Sequence, residues 1–387
     1  GKSVYAATGS ASAIASGRLS YALGLHGPCA SYDTACSAAL VACHAGLCAL
    51  TRSECTTGLV VAVSLMLSPC ISAIFAVAGM TSILGRCHTF DTRADGYARG
   101  EACGSIALRR SIHDMSLLLR GSAVRQDGRS ASLTAPSGQA QQGLLVAALF
   151  DAGTSRDALS LNEAHGTGTK LGDPIETGSL TASVLAGREV PLVLGALKAS
   201  FGHAEPAAGI VGLLKLMLCL RHGEAAANAQ LRSLNSHVGD ALRDVVSALP
   251  SHFAAPSTFE MRCSSGVSSF GYSGTIAHSV VERGGDNDEP TVGEKYSPTP
   301  PLCYRRRGFP WREVASNLAA DHARTYAVCW ASSPRVAAAQ SSLWLLISSL
   351  TTHNDTAWSL RCHSLSVLLL TSAGAAGSAL HGTQLVL

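Results

Sequence analysis

Charge is scarce in this chain. Asp, Glu, Lys and Arg together make up 14% of its 387 residues, and the formal net charge is only +3. So small and scattered an excess excludes the basic face that a nucleic-acid partner requires. Aromatics are equally thin at 5%, against 38 glycines and 47% hydrophobic residues, a composition that suits close packing of helices on sheets. No C-x-x-C pair and no zinc-ligand spacing appears among the thirteen cysteines. That odd number in a long chain argues against a disulfide framework and for reduced thiols in an intracellular compartment. No repeat of solenoid period is present. His363 to Leu387 carries no formal charge, but its Ser, Thr, Gly and Gln content argues against a membrane span. The opening Gly1-Lys2-Ser3-Val4-Tyr5 has neither an initiating Met nor a signal pattern, so the chain reads as a fragment or a domain cut from something longer.

What is there begins at Asp33-Thr34-Ala35-Cys36-Ser37-Ala38-Ala39-Leu40. No Asp, Glu, Lys or Arg occurs from Thr34 to Thr51. A helix apolar on all sides is a buried one, and its first turn points free N–H groups and a positive dipole end at whatever sits there. Cys36 opens that run. A thiol so placed is expected to ionise easily and act as a nucleophile. As a small apolar residue it fits a core position equally well. The octapeptide alone leaves both readings open.

Strands and helices alternate around it. Gly17–Leu25 reads as a helix closed by glycine, Ala30–Ala35 as extended, Leu59–Leu65 as a strand, and Ser68-Pro69 as the start of a helix to about Met80. Residues 81–101 form a polar loop. Strands are expected at 103–109, 117–124, 158–163 and 192–197, and helices at 138–152, 173–186 and 206–220. Val267–Phe270 and Thr275–Glu282 read as closing strands. The pattern predicts an α/β domain with its sheet covered on both faces. After Arg283 the composition turns to Gly, Pro and charge, a linker signature. The predicted organisation is therefore a domain over 1–283, a linker with an aromatic–arginine segment over 284–314, and a tail over 315–387.

Two of fourteen histidines stand out. His165 lies in Glu163-Ala164-His165-Gly166-Thr167-Gly168-Thr169, after a predicted strand. His203 lies in Lys198-Ala199-Ser200-Phe201-Gly202-His203, between a strand and a helix. Both sit at strand ends, where open α/β sheets place their ligands. One such histidine is usually a satisfied turn residue; two in matching settings, with a cysteine on a helix tip, weaken that reading.

The three motifs resemble the β-ketoacyl synthase (ketosynthase) domain of type I polyketide synthases, within the thiolase-like group. Cys36, His165 and His203 keep the family's order, 129 and 38 residues apart. Gly172-Asp173-Pro174-Ile175-Glu176, Gly85 to Glu101, Thr134-Ala135-Pro136-Ser137-Gly138 and Ser268 to His278 fit the same pattern. The match covers about residues 3–283, with a sizeable N-terminal portion of the family's domain expected to be missing.

The resemblance implies a thiolase-like layered α-β-α-β-α fold and a decarboxylating Claisen condensation. Cys36 would carry the acyl group. His165 and His203 would hydrogen-bond the thioester carbonyl of a malonyl-type extender. Lys198 would be the buried cation that tunes them. The backbone N–H groups of Cys36 and Tyr272 would form an oxyanion hole, and Thr167, Thr169 and Thr134 would bind the pantetheine arm. The domain itself would need no metal and no organic cofactor, since its substrates ride on the phosphopantetheine of acyl carrier protein. The implied partners are that carrier protein, with its acyl and malonyl-type thioesters, and a second copy in a homodimer. The implied setting is intracellular, cytoplasmic or organellar (a plastid included). A Cys-His-His set points to an elongating enzyme rather than a priming enzyme or a thiolase.

Three departures stand out. Ile276 occupies a position where the family has asparagine, Tyr272 one where phenylalanine is common, and Pro206 one where alanine is usual. Tyr304, Arg306, Phe309 and Trp311 resemble the segment that packs back on ketosynthases in multidomain synthases. The competing reading is a catalytically impaired ketosynthase-like scaffold that binds acyl carrier protein or a partner subunit, motivated by Ile276 and the missing portion.

Overall fold

The computed structural model describes residues 5–110, 117–254 and 263–284, and three further strands at 306–308, 326–328 and 364–371. The chain divides into two compact units, Gly1–Asn287 with Ser359–Leu387, and Asp288–Trp358. In the second, β10 (Arg306–Gly308) pairs antiparallel with β11 (Tyr326–Val328). Tyr304, Phe309 and Trp311 lie outside the described residues, as does most of the expected linker and tail.

The first unit holds two sheets. One has the order β1–β12–β2–β3, all antiparallel, from β1 (Cys29–Tyr32), β2 (Thr57–Ser64), β3 (Ala102–Arg109) and β12 (Ser364–Thr371). The expected tail thus contributes a strand to this sheet. The other has the order β4–β9–β8–β5–β6–β7, from β4 (Leu117–Gln126), β5 (Leu159–Glu163), β6 (Leu192–Gly195), β7 (Ser247–Ala248), β8 (Ser264–Phe270) and β9 (Thr275–Arg283). Its β8–β5–β6–β7 run is parallel and its β4–β9–β8 edge antiparallel. Every residue of β5, β6 and β8 is buried, as expected of central strands covered on both faces. β2 instead alternates half-buried and buried.

The helices form three layers around these sheets. Between them lie α3 (Ala38–Thr51) and α8 (Ala208–His222), each touching both sheets. Small residues let the pair approach closely: a Cβ on Gly209 would stand 2.7 Å from Leu40 Cγ. On the far face of the six-stranded sheet lie α5 (Gly138–Asp151) and α6 (Gly172–Leu180), the latter continued by a π-turn over Thr181–Leu185. On the four-stranded sheet lies α2 (Ser12–Leu23), preceded by α1 (Ala6–Ser10) and closed by Gly24 in the left-handed conformation. The result is the layered α-β-α-β-α arrangement that the motifs implied. Its central core is built of residues such as Ala38, Ala39, Leu40, Ala42 and Ile210, all fully buried.

Element ends moved by a few residues, for local reasons. The Cys36 helix begins at Ala38, because Ala35 takes a left-handed turn (φ 53°) that keeps Cys36 out of the helical ladder. The strand expected over 192–197 stops at Gly195, and Lys198 opens the short helix α7 (Lys198–Phe201). Ser68 caps α4 (Pro69–Val77) by accepting a hydrogen bond from Cys70 N at 3.3 Å, with proline in its first turn. The last helix, α9 (Ser236–Leu242), packs on α6. No helix among the described residues is long and apolar enough to cross a membrane.

Candidate active site

Cys36 sits in the sharp turn between β1 and α3, with 8% of its surface exposed. The turn is braced from below. Ser37 Oγ donates to Thr34 O at 2.8 Å, and Ser269 Oγ, from β8, donates to Cys36 O at 2.6 Å. Among the described residues, three of the four non-glycine residues with positive φ, namely Ala35 (53°), Phe90 (61°) and Glu205 (44°), lie in the segments that build this site. Such conformations persist only where surrounding structure enforces them.

His203 Nε2 stands 3.0 Å from Cys36 Sγ. Its other nitrogen, Nδ1, accepts the backbone N–H of Glu205 at 3.2 Å. His165 is arranged in the same way, its Nδ1 accepting the backbone N–H of Phe270 at 3.2 Å. A neutral imidazole that accepts at Nδ1 carries its proton on Nε2. Both rings therefore present Nε2–H donors. The rings are 5.5 Å apart between centroids and nearly perpendicular, at 83°. Burial, then the charge of Lys198, holds both imidazoles well below their usual range, so both are neutral at physiological pH.

Lys198 is 8% exposed and its Nζ donates to His165 O at 2.5 Å. Burial lowers its pKa, opposed by the carboxylates of Glu163 and Glu176. The loop after β5 is held by carboxylates. Glu176 accepts the N–H groups of His165 at 2.7 Å and Gly166 at 2.8 Å, while Asp173 accepts those of Phe90 at 2.9 Å and Gly168 at 3.1 Å. Gly168 has φ 75°, and a Cβ there would meet His88 N at 2.7 Å, so glycine is required.

Burial opposes the acidic Cys36 thiol that the turn's donors led us to expect. Burial pushes it up to about 12, against the pull of Lys198 and of the backbone N–H groups of Tyr272 and of Cys36 itself. Donors at the turn favour the thiolate, but the loss of water disfavours it more.

The structure brings Cys36, His165, His203 and Lys198 together. Thr167 is buried, its Oγ1 3.3 Å from Thr169 Oγ1, on the loop that carries His165. Tyr272 is 47% exposed at the β8–β9 turn, its ring edge-on to Phe75 of α4 at 6.3 Å. Thr134 is exposed on the loop before α5 and is not brought into the cluster. Ile276 is fully buried in the core beneath α5. The turn it follows is closed without a side-chain amide at that position. Gly271 N donates to Thr275 O at 2.8 Å, Gly274 N to Gly271 O at 2.9 Å, and Gln126 Nε2 to Ser273 O at 3.3 Å. Sequence reasoning quoted Asp173 and Glu176 without seeing their task. The signal was present, since two carboxylates at the start of a helix are natural acceptors for a neighbouring loop's N–H groups.

Two family models match the chain: the N-terminal domain of β-ketoacyl synthases over residues 1–113 and the C-terminal domain over residues 117–232. The chain belongs to the β-ketoacyl synthase family. It is a ketosynthase domain of the type I polyketide synthase kind. Erythronolide synthase EryA3 of Saccharopolyspora erythraea is 40% identical over 326 residues, 82% of this chain and 10% of that protein. Polyketide synthase GfsA of Streptomyces halstedii is 38% identical over 315 residues, 79% of this chain and 4% of that protein. Among solved structures, the ketosynthase from module 6 of the bacillaene synthase of Bacillus subtilis 168 superposes with a TM-score of 0.68 at 33% identity. That match covers 73% of this chain and 53% of the other. An oxazolomycin ketosynthase domain of Streptomyces albus JA3453 gives 0.67 at 31%, covering 71% and 49%. The chain thus spans a small part of the curated synthases and about half of the solved ketosynthase chains.

Proposed function

We propose that this ketosynthase elongates a polyketide chain by decarboxylative Claisen condensation between an acyl group on Cys36 and a malonyl-type thioester on acyl carrier protein. One observation carries the reading: both imidazoles have Nδ1 occupied by a backbone N–H, which leaves two neutral Nε2–H donors beside one thiol. A pair of neutral donors suits the stabilisation of negative charge on a carbonyl oxygen.

In the first step Cys36 Sγ attacks the carrier-bound acyl carbon. A new C–S bond forms, the bond to the pantetheine sulfur breaks, and the proton of the thiol passes to that leaving sulfur. Because His203 Nε2 carries a proton, it faces Sγ as a donor and stabilises the thiolate rather than removing its proton. The N–H groups of Cys36 and Tyr272 support the oxyanion. In the second step the extender carboxylate leaves as carbon dioxide, and the electron pair of the broken C–C bond becomes an enolate held by His165 and His203. In the third, the enolate carbon attacks the acyl carbon, the C–S bond to Cys36 breaks, and the thiolate takes up a proton from water. Lys198 acts through the His165 carbonyl and through its charge, which helps keep both rings neutral. Thr167 and Thr169 contact the pantetheine arm, with Thr134 at the edge of the same path. A homodimer and an intracellular setting belong to this reading through the family.

The test uses the full-length chain with labelled acyl carrier protein and malonyl carrier protein. Acyl label on Cys36, release of carbon dioxide and an elongated product are expected, the label and the product both lost in Cys36→Ala. Binding of carrier protein without label or carbon dioxide would instead support the scaffold reading.

A further inference from the structure

The side chain of Arg99, on the loop before β3, is buried, and its guanidinium contacts three side chains of one small region. Its Nε donates to Glu205 Oε1 at 2.5 Å and its Nη2 to Glu205 Oε2 at 2.9 Å. Its Nη1 donates to Ser72 Oγ at 2.8 Å, and its guanidinium carbon lies 5.4 Å from the centroid of the Phe75 ring. The two charged side chains are 6% and 10% exposed. A charge pair so far from water is tolerated only when geometry is good and the remaining donors are satisfied. The two-pronged contact, with Ser72 taking a third donor, supplies that geometry, and lysine could not reproduce it.

Glu205 is itself unusual. It holds φ 44°, a left-handed conformation that an L-residue adopts only under constraint. That conformation aims its backbone N–H at His203 Nδ1, 3.2 Å away. We propose that Arg99 and Glu205 are a positioning pair that fixes the tautomer of His203. The guanidinium grips the carboxylate, the carboxylate anchors the strained backbone, and that backbone N–H keeps the ring proton on Nε2, facing Cys36. The main chain of His203 has separate support, its N–H donating to Ala98 O at 2.7 Å and its carbonyl accepting from Gly100 N at 2.8 Å. The pair therefore sets the protonation of the ring rather than the path of the loop. It also links the ring to the mouth of the site, because Ser72 and Phe75 lie on α4 and Phe75 stacks edge-on with Tyr272. The consequence for rate rests on the condensing activity proposed above; the tautomer does not.

The experiment is 15N NMR of histidine-labelled full-length chain, which separates the two neutral tautomers, run beside condensation kinetics. In Arg99→Met, His203 is expected to change from a single Nε2–H form to a mixture, while His165, held by Phe270 N, keeps its signals. The kcat should fall roughly a hundredfold with KM changed by no more than about twofold. Arg99→Lys, which keeps the charge and loses the fork, should recover part of both. If Arg99→Met does not fold, Glu205→Gln, which weakens the grip without changing size, is expected to give the same mixture in smaller proportion. An unchanged Nε2–H form of His203 in the folded variants overturns the proposal, as does an equal disturbance of His165. A wild-type chain that fails to condense at all would count against the proposed function alone, since the tautomer is read without turnover.

Discussion

The loops that carry His165 and His203 are held by different parts of the chain. Around His165 the backbone hangs on side chains: Glu176 takes two of its N–H groups, Asp173 a third, Thr89 Oγ1 donates to Gly166 O and Lys198 to His165 O. Around His203 the main chain is held by main chain, through Ala98 O and Gly100 N in a parallel bridge with Arg99. Yet each ring ends with a backbone N–H on Nδ1 and a proton on Nε2. The difference teaches that the path of one loop is secured through buried charge and that of the other through backbone pairing. The first path is fragile to single substitutions and the second is largely blind to them, although the His203 ring itself still answers to Arg99 and Glu205.

The largest expected effect removes what the two loops share. Cys36→Ala should lower condensation by about 10⁴-fold or more, since no other group takes over a nucleophile's role, and loss of the acyl label checks it. The comparison itself is sharpened by Glu176→Ala, which strands the N–H groups of His165 and Gly166 in a buried site. Each unpaired donor costs about 1–3 kcal/mol, so a loss of roughly 2–5 kcal/mol in urea denaturation is expected. Burial pushes the Glu176 carboxyl up to about 7, so its removal offsets part of that loss. Under His203, Ala98→Gly keeps both backbone bonds and should cost about 1 kcal/mol or less. Equal costs at the two loops would break the comparison.

A smaller effect comes through pH. His278, fully buried in β9 against Ser268 Oγ at 2.9 Å, is lowered by burial to about 4. A depressed imidazole contributes stability above its unfolded value of about 6.5 and loses it as pH falls towards the folded one. At about 1.4 kcal/mol per pH unit this amounts to roughly 3 kcal/mol for His278 between pH 6.5 and 4. His165 and His203 shift in the same sense. Glu176, raised to about 7, and Asp173, raised to about 6, act oppositely, their burial favouring the fold more as pH falls. The wild-type melting curve thus carries a partial cancellation. His278→Asn should flatten the fall between pH 6.5 and 4.5, and parallel curves would refute the assignment.

What could be read from the chain in advance was local. A run free of charge from Thr34 to Thr51 can only be an interior helix, and it is. A histidine beside a glycine after an apolar run reads as a strand-end residue, and His165, just after β5, is one, whereas His203 follows the short helix α7 that comes after β6. What could not be read depended on partners far away in sequence. The acidity of Cys36 depends on how much water the fold removes, and Glu205 lies 106 residues from Arg99. Ile276 reads as a lost amide along the chain, whereas in the fold it fills the core while Gln126 holds the turn beside it. A strand such as β12, drawn from a segment without a motif, is invisible until its neighbours β1 and β2 are in place.

The smallest expected effect separates two threonines that the family resemblance treated alike. Thr167 is buried on the His165 loop and contacts Thr169, so removing its hydroxyl disturbs a contact already made in the free protein. Thr134 stands exposed, with its loop anchored one turn later by Asp127 Oδ1, which accepts Ser137 N at 3.3 Å. An exposed hydroxyl contributes only what a bound substrate asks of it, and its loss changes stability by no more than about 0.5 kcal/mol. Thr134→Ala should therefore leave folding unchanged and raise KM for the carrier-bound thioester by no more than about twofold. Thr167→Ala should raise it roughly tenfold, the loss of about one good hydrogen bond. If the two variants raise KM equally, the loop before α5 closes on the pantetheine arm during turnover. The side-chain-held wall around His165 would then be joined by a second wall that forms only when substrate is present.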